Sequence, residues 1–514
     1  MGLPETIEAL ARRTPDAIAL ADGRIEVAWA ALRDRTRTAA WALRESLAPG
    51  DRLLVHSANR VEVIETYLAC AYAGIVAAPV NPALTDAELG DAISLLRPAA
   101  AIADEAGLAR LARVAPDLSA RDIGFVPQTA PRTDPLSATP LTAPFAILQT
   151  SATTGRSKGV VVDQRSIQLN ALSWLADVRP SVGTRFLQAG PLFHGSMVIA
   201  LDYLAAGCPV YVLERFVPQN CLRAIERWQI EHAFLVPSMV RLVLETKQLS
   251  DTPAASLRLL LHGAAPMPTD LAEAARKALG VELQTIFGIT EGGGPVLTLT
   301  PQDTPGEPMI GGATCIGLPM TGAVARVRDA DGNDLPAGEI GTLHVSGDGL
   351  MQGYWENPEA TAAAMSGGWL NTGDVGYVDE SGYFWVVDRR NDLILRGGQN
   401  VYPAEIERVL RDHPDVADVA AVPAASEVWG QVPVAFVQVV AGRELDTRTL
   451  AEHCTRLLAA YKRPARFVFV ETVPRNPSGK ILRRLLREQA DAAVANRAPG
   501  GTGDTAPGGA GNRP

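Results

Sequence analysis

Ile147-Leu-Gln-Thr-Ser-Ala-Thr-Thr-Gly-Arg-Ser-Lys-Gly-Val160 follows an apolar stretch and gathers five hydroxyl side chains (Thr150, Ser151, Thr153, Thr154, Ser157), two glycines and one lysine. Hydroxyls and free backbone N–H groups can wrap phosphate oxygens, Gly155 and Gly159 permit close approach, and Lys158 adds charge. The spacing does not fit GxxxxGK[ST], which excludes a P-loop NTPase. As an isolated string it could equally be a flexible turn, so its weight comes from the rest of the chain. Lys158 is one of only five lysines among 47 basic residues, with Lys247, Lys277, Lys462 and Lys480. An ammonium is a compact point charge, where guanidinium is a wide planar fork. Lys158 and Lys480 both sit in glycine-bearing loops, where a single charge could be inserted between crowded phosphate oxygens. Lys247 and Lys277 read as drift.

Around this loop, residues 1 to about 390 alternate short apolar runs with longer amphipathic ones. Strand candidates are Arg185–Ala189, Val210–Leu213, Ala233–Val236, Leu257–Leu261 and Leu283–Phe287, and helix candidates include Val61–Ala73 and Thr269–Leu279. This pattern predicts an α/β fold, with parallel sheets covered by helices and ligand loops at the carboxyl ends of the strands. Near Asp388 the pattern changes. A strand at Tyr383–Val387, the polar knot Asp388-Arg389-Arg390-Asn391-Asp392 and a strand at Leu393–Leu395 lead into a second unit. There the spacing predicts a helix from Pro403 to about Asp412, a strand at Pro433–Val440, a helix at Thr447–Ala459, a strand at Arg466–Val470 and a last helix from about Lys480. This is a small α+β domain. The expected division is therefore 1–388 for a large N-terminal domain, 389–392 for a hinge, 393–490 for the C-terminal domain and 491–514 for a disordered tail. Six glycines and three prolines fall in Ala498–Pro514.

The 514 residues carry a net charge of −10, which disfavours nucleic acid or an anionic membrane as the main partner. No apolar run approaches the ~20 residues of a spanning helix, because Val198–Leu213 is broken by Asp202 and Pro209. Glu5, Arg12 and Arg13 stand where a secretory signal needs an apolar core. Five widely spaced cysteines without a CxxC read as buried thiols in a reducing cytoplasm. Residues 393–490 have a net +3 and 1–392 a net −13. Lys462–Arg487 holds eight positive residues against Glu471 alone. This basic edge is either a solvated face or the meeting place of an anionic ligand.

Four further segments fit the same kind of ligand as the Thr150–Gly159 loop. Phe287-Gly288-Ile289-Thr290-Glu291-Gly292-Gly293-Gly294 ends a strand in a turn bearing a hydroxyl and a carboxylate, suited to Mg²⁺ and phosphate. Trp369-Leu-Asn-Thr372-Gly373-Asp374 presents a carboxylate after a tight turn, where ribose hydroxyls could donate to it. Arg389 could clamp ribose or phosphate at the domain junction. Asn476-Pro477-Ser478-Gly479-Lys480 places the second unusual lysine at a loop–helix boundary. Each alone reads as a structural turn.

Together, in this order and spacing, the five segments resemble the motifs of the adenylate-forming superfamily: acyl-CoA synthetases, adenylation domains of peptide synthetases, and luciferases. The likeness covers about residues 10 to 490. Smaller signatures agree: Asn81-Pro82, Pro191-Leu-Phe-His194-Gly195, Gly263-Ala-Ala-Pro266, Gly353-Tyr-Trp355, and the stretch from Gly397 through Glu405 to Glu407. The Gly397-Gly-Gln-Asn stretch is most similar to acyl- or aryl-CoA ligases. The resemblance implies ATP-dependent activation of a carboxylic acid, with Mg²⁺, followed by transfer to CoA. Thr150, Ser151, Thr153, Thr154, Gly155 and Lys158 would grip the β- and γ-phosphates. Gly263, Ala264, Ala265 and Pro266, with Ile286 and Phe287, would line the adenine slot. Thr290 and Glu291 would hold the α-phosphate and the metal, Asp374 the ribose, and Arg389 the nucleotide. Lys480 would arrive on a mobile C-terminal domain and bridge carboxylate and α-phosphate. His194, Gly288 and the small residues near Gly292–Gly294 would border the acyl pocket, and Gly397 and Gly398 the pantetheine channel.

The sequence departs from the family pattern at Ala152 and Ser157 (usually Gly and Pro), at Phe287 (usually Tyr) and at Asn391 (usually Asp or Lys). None removes a group essential to adenylation. The acceptor stays open between CoA and a carrier-protein thiol, an amine or another nucleophile such as nitrite. A non-catalytic nucleotide-binding protein is the reading from another class. Met197 and Ile199 near His194 suggest a mainly apolar acid. The acid itself and the oligomeric state are not legible, and His194 is also a catalytic candidate, with a role as base the weaker reading beside its place at the pocket wall.

Overall fold

The computed structural model describes residues 2–124, 139–150, 158–250, 254–310, 313–389, 392–396, 399–426, 428–475 and 480–495. Contacts divide the chain into two compact units. The first takes in 1–309, 313–387 and 477–480, and the second 310–312, 388–476 and 481–514.

The short apolar runs of the first unit form two sheets. In the larger, six strands lie parallel in the order Ile18–Ala21, Val210–Val212, Phe186–Gln188, His232–Phe234, Leu259–Gly263 and Glu282–Ile289. The sheet then continues antiparallel through Gly294–Leu299, Thr314–Pro319 and Phe384–Arg389. It ends on Trp369–Val378, Gly341–Gly347 and Ala323–Arg328. The parallel pairing expected from sequence is found in the six strands from Ile18–Ala21 to Glu282–Ile289, and the rest of the sheet runs antiparallel. The direction reverses where Glu282–Ile289 and Gly294–Leu299 are joined by only residues 290–293, too few for the helical crossover that parallel pairing needs. The second sheet runs parallel through Pro144–Thr150, Val76–Pro79, Arg52–His56, Ala100–Ala103 and Ala120–Asp122. Lys158–Asp163 and Gly353–Tyr354 add antiparallel at its other edge.

Two helices are buried nearly all round, as helices apolar on every face must be. Val61–Ala73 ends at Gly74, whose φ of 69° supplies the left-handed cap. Its two carboxylates are neutralised in place, Glu62 by Arg24 and Arg60, and Glu65 by Arg35 at 2.6 Å. Ser196–Ala205 is the other, and it carries Asp202 into the core with both carboxylate oxygens unsatisfied.

In the second unit, Val416–Ser426 pairs with Gly430–Val439 along most of its length. Residues alternate between two cores. Val419, Ala421, Ala435 and Val437 pack with helices Pro403–Arg411 and Thr447–Leu457, while Ala420, Val422, Val434 and Phe436 pack with Leu486 and Ala490 of Arg483–Ala495. The last helix runs past the expected start of the tail at 491 to Ala495. Four cysteines are buried thiols and Cys315 is half-buried. Among the described residues no helix is long and apolar enough to cross a membrane.

Candidate active site

Pro144–Thr150 and Lys158–Asp163 form one antiparallel hairpin, with Thr150 opposite Lys158 at its open end. Ser151, Ala152, Thr153, Thr154, Gly155 and Ser157 lie outside the described residues. Gly159 is closely packed. A Cβ there would meet Ile147 at 2.6 Å and Trp355 at 3.3 Å, and its carbonyl accepts the Trp355 N–H at 2.7 Å.

The pairing of Gly353–Tyr354 with Val160–Val161 brings the Tyr354 ring beneath Lys158, whose Nζ lies 4.6 Å from the ring centroid. The Tyr354 hydroxyl donates to Glu291 Oε1 at 2.8 Å. Burial first, then the neighbouring Glu291 charge, pushes that phenol well above its usual range, so it stays a donor. Lys158 and Glu291, far apart in sequence, are thus joined through one tyrosine. Glu291 sits in the turn Thr290–Gly292 of the hairpin between Glu282–Ile289 and Gly294–Leu299, and its carbonyl accepts the Met351 N–H at 3.0 Å. Asn170 steadies this turn, donating to Gly293 O at 3.2 Å.

Gly263 ends its strand where a Cβ would run into the carbonyl oxygen of Ile286. Ala264 follows with φ 65°, a left-handed backbone that costs an alanine about 1–2 kcal/mol. Ala265 is half-buried, while Ala264 and Pro266 are exposed. Directly beneath, His262 is buried and held near pKa 4 by desolvation and then by Arg276, hence neutral, with Nε2 3.3 Å from Thr285 Oγ1. Phe287 packs partly into the core, and Gly288 lies at a bulge where a Cβ would meet Gly294 O at 3.0 Å.

Asp374, expected after a tight turn, lies within the strand Trp369–Val378. Thr372–Asp374 bulge out of register with Gly341–Gly347, made possible by Gly373 at φ 74°. Thr372 Oγ1 accepts the Asp374 N–H at 3.1 Å and donates to Leu343 O at 2.8 Å, fixing the backbone of a residue only 2% exposed. Arg389 is the last residue of Phe384–Arg389. Arg390, Asn391, Gly397 and Gly398 lie outside the described residues.

The turn that presents His194 is gripped from behind by two side chains that sequence reasoning did not single out. Asn59 accepts the Leu192 N–H at 2.8 Å and donates to Gly190 O at 2.7 Å, and the Tyr67 hydroxyl donates to Leu192 O at 2.8 Å. Lys480 is grouped with the first unit, as the last residue of 477–480, and Ile481 with the second. Desolvation first, and the Lys480 charge second, lower the His194 imidazole to about 4.

Among the described residues no cluster of three His, Cys, Asp or Glu side chains could hold a metal alone. A single carboxylate beside a hydroxyl, Glu291 with Thr290, fits Mg²⁺, which keeps most of its shell for water and phosphate oxygens.

Residues 7–355 match the family model of the AMP-binding enzyme, and residues 405–480 that of the AMP-binding enzyme C-terminal domain. A fatty acid–[acyl-carrier-protein] ligase of Streptomyces coeruleorubidus is 36% identical, over 89% of this chain and 90% of that protein. A 2-succinylbenzoate–CoA ligase of Geobacillus kaustophilus is 34% identical over 94% and 97%. The solved o-succinylbenzoate CoA synthetase of Bacillus subtilis, in complex with its acyl-adenylate intermediate, superposes with a TM-score of 0.83. It is 28% identical over 94% of this chain and 98% of that one.

Proposed function

This chain belongs to the AMP-binding enzyme family, and we propose that it activates a carboxylic acid with ATP and passes the acyl group to CoA. It is an AMP-forming acid–thiol ligase. The carboxylate attacks the α-phosphorus and expels pyrophosphate, and the CoA thiol then attacks the acyl carbon and expels AMP.

The observation that carries this reading is the convergence of Lys158, Tyr354 and Glu291. One cation and one metal-binding carboxylate are held apart by a neutral tyrosine, at the mouth of the Thr150–Lys158 hairpin. Lys158, with Thr150, Ser151, Thr153, Thr154 and Gly155, takes the β- and γ-phosphates. Glu291 and Thr290 hold Mg²⁺, which supplies charge neutralisation on the phosphates. Gly263–Pro266 and Phe287 face adenine, Asp374 accepts from ribose, and Arg389 supports the nucleotide. Attack by one anion on another makes the barrier largely electrostatic and positional. Lys480 offsets that repulsion. His194, neutral above pH ~4, borders the acyl site with Gly288 as a hydrogen-bonding wall rather than a charged base. Residues 389–392 act as the hinge that withdraws Lys480 after adenylation, and Gly397 and Gly398 then line the thiol's path. The free thiols support a reducing cytoplasm.

Acid-dependent exchange of pyrophosphate into ATP tests the first step, and its absence with every aliphatic and aryl acid tried would refute the reading. The likeness to an acyl-carrier-protein ligase favours one second reading, a carrier-protein thiol as acceptor. AMP release that answers to CoA supports the first reading, and release that answers only to a carrier protein supports the second.

A further inference from the structure

The glycine run Gly292-Gly293-Gly294 leaves no room for a side chain at its last two positions. Gly293 has φ 73°, and a Cβ there would run into the carbonyl oxygen of Gly349. A Cβ on Gly294 would strike Oδ1 of Asn170. Smallness at these two positions seats the turn Thr290–Gly292 closely against its neighbours.

The seat is one face of the helix Gln164–Asp177. Asp163, Ser166 and Asn170, at i, i+3 and i+7, are all buried on it. Asp163 caps the helix, taking the Ser166 N–H and hydroxyl on Oδ1 at 2.7 Å each, and its Oδ2 accepts from Gln352 Nε2 at 3.2 Å. One turn on, Asn170 Nδ2 donates to Ser166 O at 2.8 Å and to Gly293 O at 3.2 Å. Both partners are carbonyl oxygens, which fixes the amide with its nitrogen toward them and its oxygen against Gly294. The turn is thus gripped at two points, by Asn170 at Gly293 O and by the Met351 N–H at Glu291 O. Asp163 is also the last residue of Lys158–Asp163, so the strand that begins at Lys158 ends in the cap of the helix that holds the Glu291 turn.

We propose that Asn170 is a positioning residue for adenylation: by fixing Gly293 it sets the direction in which Thr290 and Glu291 present their oxygens to Mg²⁺. This rests on Glu291 holding Mg²⁺ as the proposed function has it. Asn170 carries no charge, so it acts through the backbone, two residues from Glu291. A packing role and a positioning role ask different things of this side chain. Packing asks for a branched side chain of some volume, which Leu supplies and Ala does not. Positioning asks for the two amide N–H donors, which neither supplies.

Asn170→Ala and Asn170→Leu are therefore compared with the wild type in two measurements. One is equilibrium binding of ATP by titration calorimetry, with Mg²⁺ and with EDTA. The other is thioester formation from chemically made acyl-adenylate and CoA, a step in which no phosphorus is attacked. Thermal melts accompany both, and the variant that keeps the wild-type melt decides. Loss of the buried hydrogen bond should weaken ATP binding in Mg²⁺ about 3–10-fold in either variant. Binding in EDTA and the thioester step should stay near wild type. Wild-type affinity in Mg²⁺, recovery of that affinity in Asn170→Leu alone, or an equal loss in EDTA or in the thioester step overturns the assignment. Wild-type ATP binding that is indifferent to Mg²⁺ would strike the metal-binding role of Glu291 itself, and the assignment of Asn170 with it.

Discussion

Replacing Tyr354 by Phe deletes one oxygen and leaves the ring beneath Lys158 in place. The lost contact is a 2.8 Å hydrogen bond to Glu291 Oε1 at a half-buried position. A hydrogen bond to a charged group is worth ~1.5–3 kcal/mol, and partial exposure brings that to roughly 1–2 kcal/mol. The carboxylate would then be free to turn away from the Mg²⁺ that the proposed function gives it, so the loss falls on adenylation. The expected cost is about 5–30-fold in kcat/KM for acid-dependent pyrophosphate exchange, with a shift toward higher Mg²⁺ demand. Tyr354→Leu also removes the face that Lys158 rests on, 4.6 Å away, and should cost about another 0.5–1 kcal/mol. Because Tyr354 also helps anchor a two-residue strand, thermal melts of both variants accompany the kinetics. A Tyr354→Phe enzyme with wild-type exchange and Mg²⁺ dependence would refute the claim that this hydroxyl orients Glu291.

Three other outcomes follow from the buried charges. Asp202 is fully buried with neither oxygen bonded, and desolvation raises its pKa well above the usual range. A raised folded pKa means that wild-type stability falls as pH climbs above the ordinary aspartate range. Asp202→Leu should therefore melt higher than wild type at pH 7, with the gap narrowing toward pH 4, and a lower melting point at both pH values contradicts this. His194 is held near 4, so its neutral form prevails throughout pH 5–8. The pH–rate profile of His194→Gln should keep the wild-type shape whatever its height, and loss of a wild-type inflection between pH 5 and 8 would show the imidazole titrating there. In the second unit Glu407 is buried and bonded to Arg483 at 2.6 Å. Burial acts to raise its pKa, but Arg483 overrides this and the net shift is downward, so the pair stabilises above the ordinary glutamate range and is lost as pH falls. Arg483→Met strands that carboxylate and should cost about 3–5 kcal/mol in urea unfolding of the second unit at pH 7, and a change below 1 kcal/mol would contradict it.

Helices Val61–Ala73 and Thr269–Leu279 were legible to the residue, because a glycine follows each and supplies the left-handed cap at φ 69° and 67°. Val416–Ser426 was not. It is buried on both faces, rich in alanine and interrupted by Asp418 and Pro423, so it shows neither alternation nor a β-branched run. The turn of direction after Ile289 was hidden for another reason, since an apolar strand reads the same whether its neighbour runs parallel or antiparallel. Lys158, Glu291, Asp374 and Lys480 stood out by residue type against their surroundings. Tyr354 stood inside a quoted signature without a role, because its role depends on a two-residue strand docking on Val160–Val161. Asn59 and Tyr67 also had no signal, as their partners are backbone atoms more than 100 residues away.

On the proposed function, the Lys480 amine is needed to make the acyl-adenylate and not to consume it. Both half-reactions can be measured on one preparation of Lys480→Ala: acid-dependent pyrophosphate exchange, and thioester formation from chemically made acyl-adenylate and CoA. Exchange should fall about 10²–10³-fold while the thioester step stays near the wild-type rate. Normal exchange, or an equal loss in both steps, would contradict the account.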